Sequence, residues 1–232
     1  KITPRNRHAE SDWGAPIVWA AALADPGRFT AVAGMSIPHM GHGAAPIIDV
    51  SRKLFTEKGL FFYMVYFQDE GVAEAELEAD VRDTIRRTYF AWSGDAPAGG
   101  WPAGKKHGEP FLQGMTDPGE FPAWLPKEEI DYLVKEFEGS GFRGPLNRYR
   151  NFHRDFASAS RHAGKKITQP ALFMAGERDV GIRMFGRDVE PRMREHFTDL
   201  RGFHLIPGAG HWNQQEKPAE TNRLLLDWLK GL

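Results

Sequence analysis

The stretch SDWGAPIVWAAALA, residues 11–24, contains a tight turn followed by a helix. Pro16 suits the first turn of a helix, and the alanine-rich run after it ends before the turn residues Asp25-Pro26-Gly27. Asp12 therefore lies on a turn that leads into a helix, where the positive helix terminus favours a negative charge. A nucleophile elbow places its reactive side chain on such a turn, but an aspartate before a helix is also a common N-cap. These residues alone support the two interpretations about equally.

Strand and helix patterns alternate on both sides of a long middle section. Short apolar runs at 29–37, 170–176 and 203–208 predict strands. The segments 188–197 and 218–229 predict helices, whereas the first ten residues show no periodicity of either kind. This alternation predicts an α/β fold.

The middle section has apolar side chains at helical spacing and is interrupted by turn residues between 93 and 126. The stripes are Leu77, Val81, Ile85 and Tyr89; Ile130, Leu133, Val134 and Phe137 with a stop at Gly139; and Leu146, Tyr149, Phe152 and Phe156. We therefore expect an α/β core at 1–45, a helical insert at 46–165 and the remainder of the core at 166–232.

The composition excludes several classes of function. Thirty Lys and Arg against 31 Asp and Glu give a net charge of −1, which argues against nucleic acid or an anionic membrane as the main partner. The absence of cysteine excludes disulfides, thiolate catalysis and cysteine-based zinc sites. No apolar run reaches the roughly 18 residues of a membrane span, and the first ten residues are too polar for a signal peptide. We expect a cytoplasmic protein without a metal or cofactor.

An acid and a histidine follow the last two predicted strands. Asp179 comes directly after the strand at 170–176, in the sequence GERD, and His211 lies in the glycine-flanked turn GAGHW. Together with Asp12 they give the chain order nucleophile, acid, base, which is the order of the α/β-hydrolase triad. A lone histidine or loop aspartate is more often structural, so the order and context of all three make the signal specific.

These segments resemble those of the epoxide hydrolases of the α/β-hydrolase fold, the soluble type. The quoted matches are SDWGAP around Asp12, YFQDEGVAEAELE (66–78), GFRGPLNRYRN (141–151), GERD at Asp179 and GAGHWNQQEKP (208–218). The resemblance implies the C-terminal part of an α/β-hydrolase sheet with a helical cap inserted. It also implies hydrolysis of a small apolar epoxide by water to a vicinal diol, with no cofactor.

The resemblance further implies a role for each site residue. Asp12 would attack an epoxide carbon to form an alkyl-enzyme ester, and His211, oriented by Asp179, would activate water to hydrolyse it. Tyr63 and Tyr149 would donate hydrogen bonds to the ring oxygen. The backbone N–H of Trp13 would form half of an oxyanion hole. Packing explains the same aromatic residues without chemistry, and Tyr66 is a rival for Tyr63.

The sequence departs from the family pattern around the elbow. Family members have strands and an HGxP loop before the elbow, and no counterpart precedes Ser11. Glu10 stands at a position that is glycine in the family, where a side chain should crowd the turn. An unfinished sheet would expose an edge, so we expect association through that edge and poor solubility as a monomer.

Other hypotheses remain open from the sequence. A haloalkane dehalogenase uses the same Asp-His-Asp catalytic triad. Trp13 is compatible with either enzyme, whereas Tyr149 favours an epoxide hydrolase. A serine hydrolase at Ser36 and a metal site at His39 and His42 are weaker, since each lacks part of its motif. From a different class, the chain could be a non-catalytic remnant of the fold.

Overall fold

The computed structural model describes residues 6–97 and 104–232, which divide into two compact units. The first unit comprises the chain up to His42, together with Trp92–Asp95 and Ala159–Leu232. The second comprises Gly43–Ala91 and Ala96–Ser158. The domain boundaries expected from the sequence stay a prediction, and residues 1–5 of the first expected domain lie outside the described residues.

A run of helices separates two segments in which strands and helices alternate. In chain order the elements are β1 (Asn6–Ser11), α1 (Gly14–Ala24), β2 (Phe29–Met35), α2 (Ile47–Leu54), α3 (Tyr63–Tyr66), α4 (Val72–Ala79), α5 (Val81–Trp92), α6 (Lys127–Ser140), α7 (Arg143–Arg150), α8 (Phe152–Ala159), β3 (Ala171–Gly176), α9 (Val180–Met184), α10 (Val189–Arg194), β4 (Leu200–Ile206), α11 (Asn213–Glu216) and α12 (Pro218–Lys230). Short 3₁₀ helices span Thr56–Lys58 and Ser160–His162. Within the described residues, none of the helices combines the length and apolar character needed to cross a membrane.

The first unit is built on a parallel sheet in the order β1-β2-β3-β4. Side chains of β3 alternate between its faces, as a period of two residues requires. Phe173 and Ala175 pack in a core with α1, while Leu172 and Met174 pack on the other side against α12. Helices therefore cover both faces of the sheet, and the α/β class expected from the sequence is confirmed.

Strand β1 is the main element that the sequence pattern missed. It pairs in parallel with β2 from Asn6 to Ser11, although the side chains from Arg7 to Ser11 are exposed or half-buried. A strand defined by backbone pairing without burial leaves no apolar signal in the sequence. Among the described strands, β1 pairs with β2 alone and so forms one edge of the sheet.

Two predicted stripes in the second unit are each divided between two helices. The stripe from Leu77 to Tyr89 breaks at Asp80, whose carboxylate accepts the N–H of Asp83 and starts α5. The stripe from 146 to 156 breaks between α7 and α8. The stop expected at Gly139 is also wrong, because α6 continues to Ser140 and ends at Gly141, whose φ of +66° suits glycine.

Candidate active site

Asp12 occupies the turn between β1 and α1 in a conformation rare for residues other than glycine. Its φ is +49°, and its main-chain oxygen accepts the N–H of Ala15 at 3.0 Å. The N-cap of α1 is Trp13, and no side chain in the described part of the chain caps that helix. The Asp12 carboxylate is thus available for other contacts, which favours the elbow interpretation over the N-cap interpretation.

Glu10 does not prevent the tight turn, contrary to the expectation from its size. A Cβ on Gly14 would lie 2.8 Å from the Cβ of Glu10, so the absence of a side chain at Gly14 creates the space. The Glu10 side chain is exposed, and its carboxylate lies 2.9 Å from the His8 imidazole. The Glu10 side chain is therefore accommodated because Gly14 has no side chain, and the backbone still forms the tight turn at Asp12.

Asp179 is held in one orientation at the carboxyl end of β3. Its side chain is fully buried, and one oxygen accepts the N–H of Gly181 at 2.7 Å, capping the short helix α9. The other oxygen, Oδ2, lies 3.1 Å from Nδ1 of His211. A buried carboxylate with both oxygens engaged is suited to fix the imidazole opposite it.

The His211 ring lies between two carboxylates of the first unit. Its Nε2 is 3.3 Å from Oδ1 of Asp12, on the side opposite Asp179. The His211 side chain is 7% exposed, whereas that of Asp12 is 46% exposed. Burial by itself would lower the pKa of His211, but the charge of Asp179 and the hydrogen bonds with both aspartates outweigh it and raise the pKa to about 10.

Several contacts around His211 could not be found from sequence spacing. The indole rings of Trp92 and Trp212 meet the imidazole edge-on, with ring centroids 5.2 Å and 4.9 Å away. The Ser36 hydroxyl donates to the His211 carbonyl at 3.2 Å, from a residue with φ of +68°. Trp92 and Ser36 are far from His211 in the chain, so only the folded unit shows that they meet.

The two candidate tyrosines lie together in the second unit. The rings of Tyr63, at the start of α3, and Tyr149, on α7, meet edge-on with centroids 5.9 Å apart. Phe67 packs against both, at 5.7 Å from Tyr63 and 5.0 Å from Tyr149. Gln68 links the two helices, because its side-chain amide donates to the main-chain oxygens of Met64 and Tyr149. This aromatic packing fixes the separation of the two phenol rings.

Tyr66, the rival candidate, has its hydroxyl engaged elsewhere. It donates to Oε2 of Glu76 at 2.5 Å, and this carboxylate also accepts the N–H groups of Phe111 and Leu112. Burial, together with the Glu76 hydrogen bond and charge, raises the pKa of Tyr66 far above its usual value. Its proton is therefore committed to Glu76, which leaves Tyr63 as the better donor.

Comparison with known proteins gives the family. The chain is 39% identical over 225 residues to epoxide hydrolase A of Mycobacterium tuberculosis, covering 95% of this chain and 67% of that protein. The crystal structure of epoxide hydrolase A from Mycobacterium thermoresistibile matches with a TM-score of 0.85 and 39% identity, over 97% of this chain and 69% of that one. The chain belongs to the epoxide hydrolase family.

A second solved epoxide hydrolase, from an endophytic Streptomyces, has a TM-score of 0.87 and 36% identity, over 96% of this chain and 67% of that one. No protein-family model matches the chain. This chain thus spans about two thirds of the length of each of these three epoxide hydrolases. Membership in this family favours epoxide chemistry over the haloalkane dehalogenase alternative.

The letters of the family's HGxP motif occur in this epoxide hydrolase chain at 107–110, within the second unit. There Lys106 forms an isolated antiparallel bridge with Leu60, and its N–H donates to the carboxylate of Glu109. The segment follows no described strand of the parallel sheet. It is therefore not the counterpart of a loop that precedes the elbow.

The two weaker alternatives gain no support from the geometry. The Ser36 hydroxyl faces a main-chain carbonyl instead of the imidazole of His211, so it is not arranged as a nucleophile. The described residues contain no group of three or more side chains arranged to bind a metal. His39 packs against the ring of His196, and burial, followed by the charge of His196, lowers the pKa of His39 to about 4.

Proposed function

We propose that this chain hydrolyses a small apolar epoxide to a vicinal diol through a covalent ester on Asp12. The observation that carries the proposal is the position of His211, with one ring nitrogen 3.3 Å from Asp12 and the other 3.1 Å from Asp179. A two-step reaction needs a nucleophile, a base that acts after it, and a group that orients the base. Family membership supplies the substrate class.

The first step is the attack of the Asp12 carboxylate on an epoxide carbon. The new bond joins carboxylate oxygen to carbon, the ring C–O bond breaks, and the ring oxygen takes a proton to become a hydroxyl. During this step His211 is an imidazolium, because the two carboxylates hold its pKa near 10. The half-exposed side chain of Asp12 is the only one of the three that solvent reaches freely, which suits a group that meets substrate.

Formation of the ester changes the charge next to His211. Asp12 becomes neutral, so one of the two charges that hold the ring proton is lost and the pKa of His211 falls. The neutral imidazole then takes a proton from water, and the hydroxide attacks the ester carbonyl. The ester C–O bond breaks, the diol leaves with one proton, and Asp12 returns as a carboxylate beside an imidazolium.

The proposal assigns Tyr63 and Tyr149 to the ring oxygen. A phenol with a pKa near 10 can donate to an oxygen that becomes an alkoxide, which is too basic to leave unaided. The phenol that gives its proton regains one as the imidazolium of His211 loses its own. The pairing of the two rings and the engagement of Tyr66 by Glu76 support this choice. The backbone N–H of Trp13 is proposed as half of the oxyanion hole.

The test is diol formation from a simple aryl epoxide, with Asp12→Ala as the decisive variant. We expect diol formation by the unaltered chain and none by Asp12→Ala. Tyr63→Phe and Tyr149→Phe should lower the rate, whereas Tyr66→Phe should not. Intact-protein mass spectrometry should show the ester in His211→Gln. Absence of both diol and ester would support the non-catalytic remnant instead, and halide release from a haloalkane would favour the dehalogenase.

Two further expectations from the sequence stay predictions. One is a cytoplasmic location. The other is association through the edge of the sheet, for which β1 offers backbone groups on the side away from β2. A sharp monomer peak in light scattering at moderate concentration would count against association.

A further inference from the structure

A single carboxylate, that of Glu216, binds the main chain on both sides of His211. Glu216 accepts the N–H of Gly210 through Oε2 at 2.9 Å and the N–H of Trp212 through Oε1 at 3.0 Å. The N–H of His211 itself donates to the main-chain oxygen of Trp92 at 2.9 Å. The amides on both sides of His211 therefore converge on the same side chain.

A third amide reaches the same group. The N–H of Gly94 donates to Oε2 of Glu216 at 2.7 Å. A Cβ on Gly210 would lie 2.3 Å from the nitrogen of Gly94, and a Cβ on Gly94 would lie 2.2 Å from the oxygen of Gly208. The two backbones are thus in direct contact, without room for side chains, and the Glu216 side chain supplies the acceptors that their N–H groups require.

The Glu216 carboxyl group lies in surroundings that oppose its charge. Burial is the main cause that raises the pKa of Glu216, and the charge of Asp95 acts in the same direction, while the three N–H donors oppose the shift. Titratable groups whose pKa is shifted by burial and by specific partners cluster at functional sites.

We infer that Glu216 is a positioning residue for His211, which it keeps within reach of Asp12 and Asp179 by holding the loop from both sides. The inference rests on the proposed function. The 3.3 Å between His211 and Asp12 is close to the outer limit of a hydrogen bond, so a loop shift of about 0.5 Å would break the contact. Ester hydrolysis depends on His211 as a base, whereas the attack of Asp12 does not. Loss of Glu216 should therefore slow the second step selectively.

The experiment separates the two steps by intact-protein mass spectrometry after rapid mixing with an aryl epoxide. Glu216→Gln keeps the volume but turns an NH₂ group toward at least one of the three N–H donors. We expect the ester to accumulate in this variant, with hydrolysis slowed by roughly tenfold or more and alkylation by less than about threefold. Glu216→Asp keeps the charge on a shorter side chain and should give an intermediate effect.

Two controls distinguish positioning from general destabilisation. Met193→Ala removes a fully buried side chain of the core that packs with α1, so it should lower the melting temperature without accumulation of ester. Glu177→Gln alters an exposed carboxylate that accepts the N–H of Gly208 at 3.4 Å, and we expect both steps to be unchanged. Ester accumulation in Met193→Ala equal to that in Glu216→Gln would overturn the inference.

The remaining outcomes distinguish failure of the positioning role from failure of the proposed function. If His211→Gln forms ester but a folded Glu216→Gln does not, the positioning role is wrong and the proposed function stands. If no variant forms ester, the proposed function fails, and the downfield NMR signal of the His211 Nδ1 proton decides the positioning role alone. That signal should broaden or shift in Glu216→Gln and persist in Met193→Ala. An unchanged signal, or unfolding of both Glu216 variants, would leave Glu216 a purely structural role.

Discussion

Replacement of Asp12 by asparagine should lower the pKa of His211, because it removes one of the two negative charges next to the ring. Oδ1 of Asp12 and Nε2 of His211 are 3.3 Å apart, and unit charges at that distance attract by roughly 5 kcal/mol at an effective dielectric constant of about 20. The Asp12 side chain is 46% exposed, so solvent screens much of this attraction. If about a third of the attraction remains after screening, its loss lowers the pKa of His211 by about one unit from a value near 10.

The assay is an NMR titration of the carbon-bound ring protons of His211 in the unaltered chain and in Asp12→Asn. Asp179→Asn should lower the midpoint further, because that carboxylate is fully buried and unscreened. Asp49→Asn is the control, since Asp49 lies 3.1 Å from His153 in the second unit and should leave His211 unchanged. Asparagine mimics the loss of charge when Asp12 becomes an ester. A midpoint in Asp12→Asn equal to or above that of the unaltered chain would refute the proposed charge switch.

Three other perturbations test separate parts of the structure. The pKa of His211 is raised from 6.5 to about 10 in the folded state, so its contribution to stability is complete below pH 6.5 and is lost as the pH rises toward 10. Urea unfolding at pH 7, 8.5 and 10 should show that the free energy of unfolding falls more steeply with pH in the unaltered chain than in His211→Gln, by up to about 1.4 kcal/mol per pH unit. Parallel curves for the two proteins would contradict this. Tyr66→Phe should leave diol formation unchanged but lower the free energy of unfolding by about 1 kcal/mol, since it removes the hydrogen bond to Glu76. A large loss of turnover without loss of stability would show that the Tyr66 hydroxyl acts in the reaction. Gly14→Ala should destabilise the chain by about 1–3 kcal/mol, because its Cβ would meet that of Glu10 at 2.8 Å. Chemical denaturation should show most of that loss recovered on a Glu10→Gly background, and full additivity of the two changes would contradict the steric explanation.

The sequence predicted much of the framework from local patterns. The runs that predicted strands overlap β2, β3 and β4 of the parallel sheet, and the segments predicted as helices at 188–197 and 218–229 correspond to α10 and α12. These predictions succeeded because buried strands and amphipathic helices leave apolar residues at characteristic spacing. The family resemblance rested on five short motifs, and comparison with known epoxide hydrolases confirmed it.

The sequence also placed Asp179 and His211 at turns that follow predicted strands, and Asp12 at a turn that leads into a helix, although their roles remain a proposal. The carboxyl ends of parallel strands lie at one edge of a sheet, so side chains that follow them come close together in space. In the structure the His211 ring lies between the two carboxylates. The order along the chain thus predicted proximity, but not distances, burial or charge.

By itself, then, the sequence determined the α/β class, the family, and the residue types available for chemistry, because each of these leaves a local or motif-level pattern. Only the tertiary structure decided three other features: that polar residues form β1, that the Tyr66 hydroxyl is engaged by Glu76, and that Glu216 collects the amides around His211. Each of them depends on hydrogen bonds, to the backbone or between side chains, with partners set by the fold. Such bonds leave no apolar periodicity, so nothing in the order of the residues reveals them before the chain has folded.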